Sequence, residues 1–256
     1  PETPNNISNS LNQSESDSKL GTQYNSYAAW VGVEYGTAPG SINFSVKGKS
    51  DEAEAPLEAS STLNIKSGKF PSEVLTVPPR TVTPSKKDLK QIAKDRLVLA
   101  RVYANSLKER LWDPPTVNPV EVNVLTSVYG TSRVYNGKKE SVHLGTDLKA
   151  SVGTKIFAPI SGKAALARHL FYTGYTVILD HGFGMFSVYG HMSKLNIKEG
   201  VVVKKGSLLG LAGMTGRASG PHLHWGINLH GTKVDPISLS KEMNNQALLI
   251  GKAQPQ

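Results

Sequence analysis

Five side chains in one stretch of this chain have the types and spacing of a metal-centred hydrolytic site. His143-Leu144-Gly145-Thr146-Asp147 comes first, Tyr189-Gly190-His191 follows, and Pro221-His222-Leu223-His224 comes last. Successive side chains of a strand point to opposite faces, so His222 and His224 share a face while Leu223 turns toward a core. Trp225, Ile227 and Leu229 support a strand through this segment. His143 and Asp147 would share a face on a helix. Gly145 between them, with Val142, Leu144 and Leu148 nearby, predicts instead a loop running into a strand. A catalytic zinc commonly takes three protein ligands and leaves one position open for water. Two imidazoles and one carboxylate would meet that need and keep the site net positive, able to polarise a carbonyl.

The three segments resemble the motifs of the lysostaphin/LytM-type zinc peptidases, the M23 peptidase family. The residues that carry the likeness are His143-x-Gly145-x-Asp147, Tyr189-x-His191-Met192 and Gly220-Pro221-His222-x-His224. It extends over roughly residues 116–237 through a glycine-rich frame: Gly153-Thr154, Ala158-Pro159, Gly162, Leu179-Asp180-His181-Gly182, Val203-Lys204-Lys205-Gly206, Gly210, Gly213 and Thr215-Gly216. The resemblance implies one Zn2+ per chain on His143, Asp147 and His224, with His191 and His222 acting beside the metal. One of these two would take the proton of the attacking water, and the other, if protonated, would stabilise the oxyanion. The sequence leaves open which does which. His169 and His230 carry no supporting spacing, and His181 in its Asp-His-Gly turn is expected to be structural.

The fold expected around these residues is mainly β: an antiparallel LytM-type peptidase sheet over residues 116–240, preceded by a small β domain and one long linking helix. Residues 1–25, rich in Asn, Ser, Thr and Gln, suggest a flexible leader. Short apolar alternations at Tyr27–Val33, Ile42–Val46 and Leu63–Ile65 suggest a small β-rich domain over 26–84, with the acidic run Asp51–Glu54 as an exposed loop. Its segment Gly68-Lys69-Phe70-Pro71, then Leu75-Thr76-Val77, resembles the region preceding the peptidase in Gram-negative envelope members. Ser85 and Asp88 make a capping-box pattern, and apolar residues from Leu89 to Leu111 follow helical spacing, which predicts a helix over 85–113. Strands are expected at 155–157, 176–180, 186–189, 201–203 and 208–211, and a loose tail at 241–256. Arg133, Asn136 and Tyr175 are candidate substrate-binding residues along the groove, and the loops 171–175 and 217–219 are candidates for setting specificity.

Composition narrows the partners. With no cysteine among 256 residues, disulfide staples and thiolate zinc sites are excluded. No run approaches the roughly 18 apolar residues of a membrane helix. A net charge of +9 attracts polyanions. No recognition motif supports nucleic acid, and a cell wall rich in carboxylates and phosphates is the better match, although a solubilising surface would carry the same charge. The chain starts at Pro1 without a signal peptide, which suggests a processed product. The resemblance implies a periplasmic, envelope or secreted location, and peptidoglycan as substrate, probed at cross-links or stem peptides and by family analogy at D-alanyl–diaminopimelate. Two alternatives are an inactive scaffold that activates another wall hydrolase and a general secreted metalloprotease. Members of the first kind have lost metal ligands, whereas this sequence keeps all five positions. Residues 26–111, standing before the groove, are a candidate for intramolecular regulation.

Overall fold

The computed structural model describes residues 6–7, 30–48 and 57–252. In chain order the strands are β1 (Asn6–Ile7), β2 (Val31–Gly32), β3 (Gly40–Gly48), β4 (Leu57–Ile65) and β5 (Ser72–Leu75). After helix α1 (Lys86–Ala104) come β6 (Leu125–Ser127), β7 (Ser132–Tyr135), β8 (Lys139–Val142), β9 (Thr146–Lys149), β10 (Lys155–Phe157), β11 (Gly162–Leu170), β12 (Gly174–Gly182) and β13 (Met185–Leu195). The chain closes with β14 (Val202–Val203), β15 (Leu208–Ala212), β16 (His222–Leu229), β17 (Thr232–Val234) and helix α2 (Pro236–Lys252). No helix of the described residues is long and apolar enough to cross a membrane.

The molecule is mostly antiparallel β, as the residue pattern predicts. Its main sheet runs β14-β11-β12-β13-β16-β9-β6, with β15 joining β13 to β10 and β17 pairing with β16. Alternation along the central strands sorts their side chains into two faces. Leu223, Trp225, Tyr189, Val177 and Leu179 point one way into the main core, together with Leu148, Ile156 and Leu209, all fully or nearly fully buried. The opposite face carries His222, His224, Gly226 and Asn228 on β16, Val188 and Phe186 on β13, and Ile178 on β12, as the pairings Val188↔Gly226 and Ile178↔Val188 require.

Helix α1 packs on that second face. Its Ser85–Asp88 capping box forms in both directions, as the spacing predicts. Val98, Leu99, Val102 and Tyr103 then seat on Leu166, Leu170, Ile178 and Phe186, with the Tyr103 ring edge-on to Phe186 at 5.2 Å. The helix departs from expectation in two ways. Leu89 and Leu97 stand in solvent at 54% and 63% exposure, while Asp88 and Asp95 are buried. Each buried carboxylate has a partner that only the tertiary fold supplies: Arg80 for Asp88 and the Phe171 backbone N–H for Asp95. The helix also stops at Ala104 rather than continuing to residue 113. Beyond it, Leu107 N–H donates to Asp180, Ser106 Oγ accepts from Gly184 N–H, and Leu111 N–H donates to the His181 carbonyl. The chain is pinned across the β12–β13 turn so closely that a Cβ at Gly182, whose φ is +92°, would strike the Glu109 carbonyl.

The front region does not form a closed unit over 26–84. Strand β5 pairs in parallel with β7, and β7 pairs antiparallel with β8, so the last strand of the front region joins a sheet with strands that lead into His143. The β3–β4 hairpin is exposed along most of its length. Within the expected leader, Asn6–Ile7 pair with Val31–Gly32; the rest of that leader and the acidic run 51–54 lie outside the described residues. The expected loose tail is corrected to helix as far as Lys252. Asp235 caps it by accepting from the N–H groups of Ile237 and Ser238, Pro236 opens it, and Leu239 and Met243, one turn apart, bury against Ile227 and Leu229.

Leu223 is fully buried between the two outward histidines of β16. Leu223→Ala should therefore cost ~2–5 kcal/mol through lost burial and a residual cavity. Chemical denaturation of the variant and the parent checks this, with an unchanged midpoint as the contrary result.

Candidate metal centre

The pairing of β9 with β16 builds the centre. Its register sets His224 opposite Asp147 and His222 opposite Lys149, so the carboxylate and the second imidazole lie side by side. His143 follows β8 and enters the loop before β9, fixed by reciprocal backbone bonds: its N–H to the Thr131 carbonyl, and Gly130 N–H to its own carbonyl. This is the loop-into-strand arrangement that Gly145 predicts. Gly145 itself lies against His224, where an added Cβ would be 2.5 Å from the ring Cε1.

The three inner atoms converge tightly. His143 Nε2 lies 3.1 Å from Asp147 Oδ1 and 2.9 Å from His224 Nδ1, and His224 Nδ1 lies 3.0 Å from Asp147 Oδ1. A tetrahedral zinc with ligand bonds of about 2.1 Å separates its donors by about 3.4 Å, a few tenths of an ångström wider than this triangle. Two imidazole nitrogens facing each other across a carboxylate oxygen are also a donor set that a cation completes. His143 Nδ1 faces only the Val128 carbonyl at 3.3 Å and Ser127 Oγ at 3.4 Å, which favours the proton on Nδ1 and the lone pair on Nε2. The residues present fit the metal that the resemblance implies.

Electrostatics favour the ligand forms. Burial alone would raise the Asp147 pKa, but the adjoining His143 and His224 outweigh it and hold the carboxyl well below its usual range. Burial pushes His224 down to about 4 against the pull of Asp147, so its ring is neutral near pH 7. With that ring uncharged, the carboxylate leans on Arg133, whose Nη2 donates to Oδ2 at 2.6 Å. Burial would lower Arg133, and Asp147 and Glu73 beside it raise it instead.

His191 and His222 flank this triangle with ring centroids 4.7 Å apart. Each turns Nδ1 to a backbone carbonyl, Thr215 for His191 at 2.7 Å and Gly220 for His222 at 2.8 Å, which directs both Nε2 atoms inward. His222 Nε2 lies 3.6 Å from Asp147 Oδ2. His191 takes a positive φ of 59°, uncommon for a residue with a Cβ, and its backbone N–H is held by the Thr173 carbonyl. Burial, then the neighbouring His222 and His224, push its pKa down to about 3. His181 is structural: it is fully buried between the Ser161 carbonyl and Ser187 Oγ.

A cleft of about 210 Å³ opens beside the ligands, between Leu75 and Val77 on one side and Tyr135, Arg217 and His222 on the other. Arg217 stacks on Tyr135 at 4.3 Å and Tyr172 at 4.6 Å, and its N–H donates to the Tyr172 carbonyl. The loops 171–175 and 217–219, far apart in sequence, therefore form one wall. A smaller cavity of about 100 Å³ lies on the other side, between His224, Leu144 and the helix residues Leu99 and Tyr103. The three candidate substrate residues fare differently. Arg133 points at Asp147 and is a partner of the centre. Asn136 is not available to a substrate, because its amide bonds both the N–H and the carbonyl of Val77 at a turn. Tyr175 stands 40% exposed with its ring against His169. Sequence reasoning missed Glu73 and Ser127, which bond Arg133; Glu73 is too distant in the chain for any local signal, and Ser127 meets Arg133 only across the turn between β6 and β7.

Fold and site together define a β-sheet protein with a His-Asp-His cluster that could hold a metal ion, flanked by two further histidines. Residues 141–236 match the model of Peptidase family M23, so the chain carries a Peptidase M23 domain over that segment. Over 121 residues it is 34% identical to the peptidoglycan DD-endopeptidase ShyA of Vibrio cholerae, which covers 45% of this chain and 28% of that protein. Over 99 residues it is 33% identical to the DD-carboxypeptidase/endopeptidase Mpg of Neisseria meningitidis, covering 39% and 23%. A solved Pseudomonas aeruginosa chain classed with peptidase M23 superposes with a TM-score of 0.63 at 26% identity, covering 92% of this chain and 87% of that one. The alignments thus span less than a third of the length of these curated relatives.

Gly145→Ala tests the packing of the centre. The new methyl must displace the His224 ring, and a misplacement near 1 Å costs roughly 10²-fold in turnover. Circular dichroism should stay that of the parent while metal content and activity fall; full activity in a folded variant would contradict the geometry.

Proposed function

We propose that the chain is a zinc-dependent endopeptidase that hydrolyses peptide bonds in peptidoglycan cross-links or stem peptides, with D-alanyl–diaminopimelate as the bond cut. One observation carries the reading: five side chains from three distant segments converge on one sheet face, three with metal-ligand geometry and two aimed beside them. The printed activities of the Vibrio and Neisseria relatives and the net charge of +9 support the substrate class. A peptidoglycan substrate assigns the protein to the periplasm, the cell envelope or the exterior.

Zinc on His143 Nε2, Asp147 Oδ1 and His224 Nδ1 would polarise the scissile carbonyl and lower the pKa of an attacking water toward about 7. His191 has its Nδ1 proton committed to the Thr215 carbonyl, so its Nε2 lone pair accepts a proton from the water and later delivers it to the leaving amine. His222, when both ring nitrogens carry protons, donates from Nε2 to the carbonyl oxygen as it becomes negative. The water oxygen bonds to the carbonyl carbon, the carbon–nitrogen bond breaks, and the amine leaves with the proton. His224→Ala should lose zinc and activity together, whereas His191→Ala should lose activity and keep zinc. Metal analysis beside a turnover assay checks both, and stoichiometric zinc in His224→Ala overturns the ligand assignment.

Residues 26–111 have a place in this scheme. Helix α1 sits on the face that bears the histidines, and Leu99 and Tyr103 close the space next to His224. We assign to the helix a gating role over that arm of the groove. The double variant Leu99→Glu, Tyr103→Glu, which lifts the helix from Ile178 and Phe186, should raise turnover on purified wall. Turnover equal to or below the parent, in a variant that retains its zinc, would rule the gate out.

A further inference from the structure

We infer that Glu73, on strand β5 and outside the matched family region, is a positioning residue of the metal centre that acts through Arg133 on Asp147; the inference rests on reading that centre as a zinc site. The parallel register sets Glu73 directly beside Arg133. Glu73 Oε1 accepts from Arg133 Nε at 2.5 Å, and Arg133 Nη2 donates to Asp147 Oδ2 at 2.6 Å. Asp147 Oδ1, the other oxygen, is the one that faces His143 and His224. Ser127, whose strand pairs with that of Asp147, closes the network: its hydroxyl donates to Glu73 Oε1 at 3.0 Å and accepts from Arg133 Nη2 at 2.9 Å. The Arg133 and Asp147 side chains are only 10% and 6% exposed, and Glu73 is 27% exposed.

The charges explain why the outer carboxylate matters. A buried guanidinium bonded to Asp147 alone would cancel the charge of the one anionic ligand and set a cation against a dication. Glu73 takes up the Arg133 charge, so the three groups together stay net negative by one. Arg133 can then fix the rotation of Asp147 without depleting it as a ligand. Bonding at two points, Nε to Glu73 and Nη2 to Asp147, also holds the guanidinium plane in one orientation. Neutralising Glu73 leaves Arg133 to pair with Asp147 only, which turns and weakens Oδ1 toward a metal. Outer partners of metal ligands typically change metal affinity by about 10–100-fold.

The test is a zinc titration against a chromophoric chelator, using the full chain as parent, Glu73→Gln, Glu73→Ala and Glu73→Asp, with thermal unfolding of the metal-free proteins in parallel. The expected result is zinc affinity lowered by about 10–100-fold in Glu73→Gln and Glu73→Ala, partial recovery in Glu73→Asp, and metal-free unfolding that stays close to the parent. Parent-like zinc affinity in Glu73→Gln would overturn the inference while leaving the metal centre standing. So would a loss in all three variants that merely tracks lower metal-free stability, since that marks a structural role. A parent protein that binds no zinc would overturn the metal centre itself and this inference with it.

Discussion

The antiparallel pairing of β9 with β16 is the constraint on which the rest depends. Its register places Asp147 against His224, and Leu148 against Leu223 on the reverse face. A slip by one residue would send the histidines into the core and Leu223 into the groove. Burial of Leu148, Leu223 and Trp225 against Tyr189 therefore fixes the chemistry on the other side of the same strands. His143 needs only a short loop to join them, and Gly145 keeps that loop close to the His224 ring.

Division of labour among the four histidines follows from which ring nitrogen meets a backbone acceptor. His143 turns Nδ1 outward, leaving Nε2 for the centre, whereas His224 presents Nδ1 to Asp147. His191 and His222 are each tied through Nδ1 to a carbonyl of a neighbouring loop. Those carbonyls belong to Thr215 and Gly220, which flank the loop bearing Arg217, so the wall of the cleft and the aim of the two outer histidines are set by one stretch of chain. Arg133, Glu73 and Ser127 play the matching part for Asp147.

The centre was legible in sequence because its logic is local. His-x-His on a strand puts two imidazoles on one face by periodicity, whereas the grouping of His143 and Asp147 with His224 comes from the resemblance to a family, and five short strands of the main sheet appear where turn residues bound apolar runs. What stayed hidden depends on partners far along the chain. Asp88 and Asp95 look like solvent positions on α1 until Arg80 and the Phe171 N–H are in place, and Leu89 and Leu97 look like core positions until the docked face proves to be that of Leu99 and Tyr103. Helix α1 ends early because Asp180 and Gly184 capture the next residues. Glu73 sits in an unremarkable polar alternation, and only the parallel pairing of β5 with β7 gives it a role. Arg133 lines the cleft but bonds Asp147, and Asn136 is taken up by the backbone of Val77.

The central claim, a metal-dependent cut in the cell wall, is tested most directly on purified diaminopimelate-type peptidoglycan. The wall is digested by zinc-loaded protein with and without a chelator, and the released muropeptides are read by mass spectrometry. The account predicts conversion of cross-linked dimers to monomers that the chelator abolishes and added zinc restores. Intact dimers after exposure to zinc-loaded protein, including the variant with α1 lifted from the groove, would contradict it.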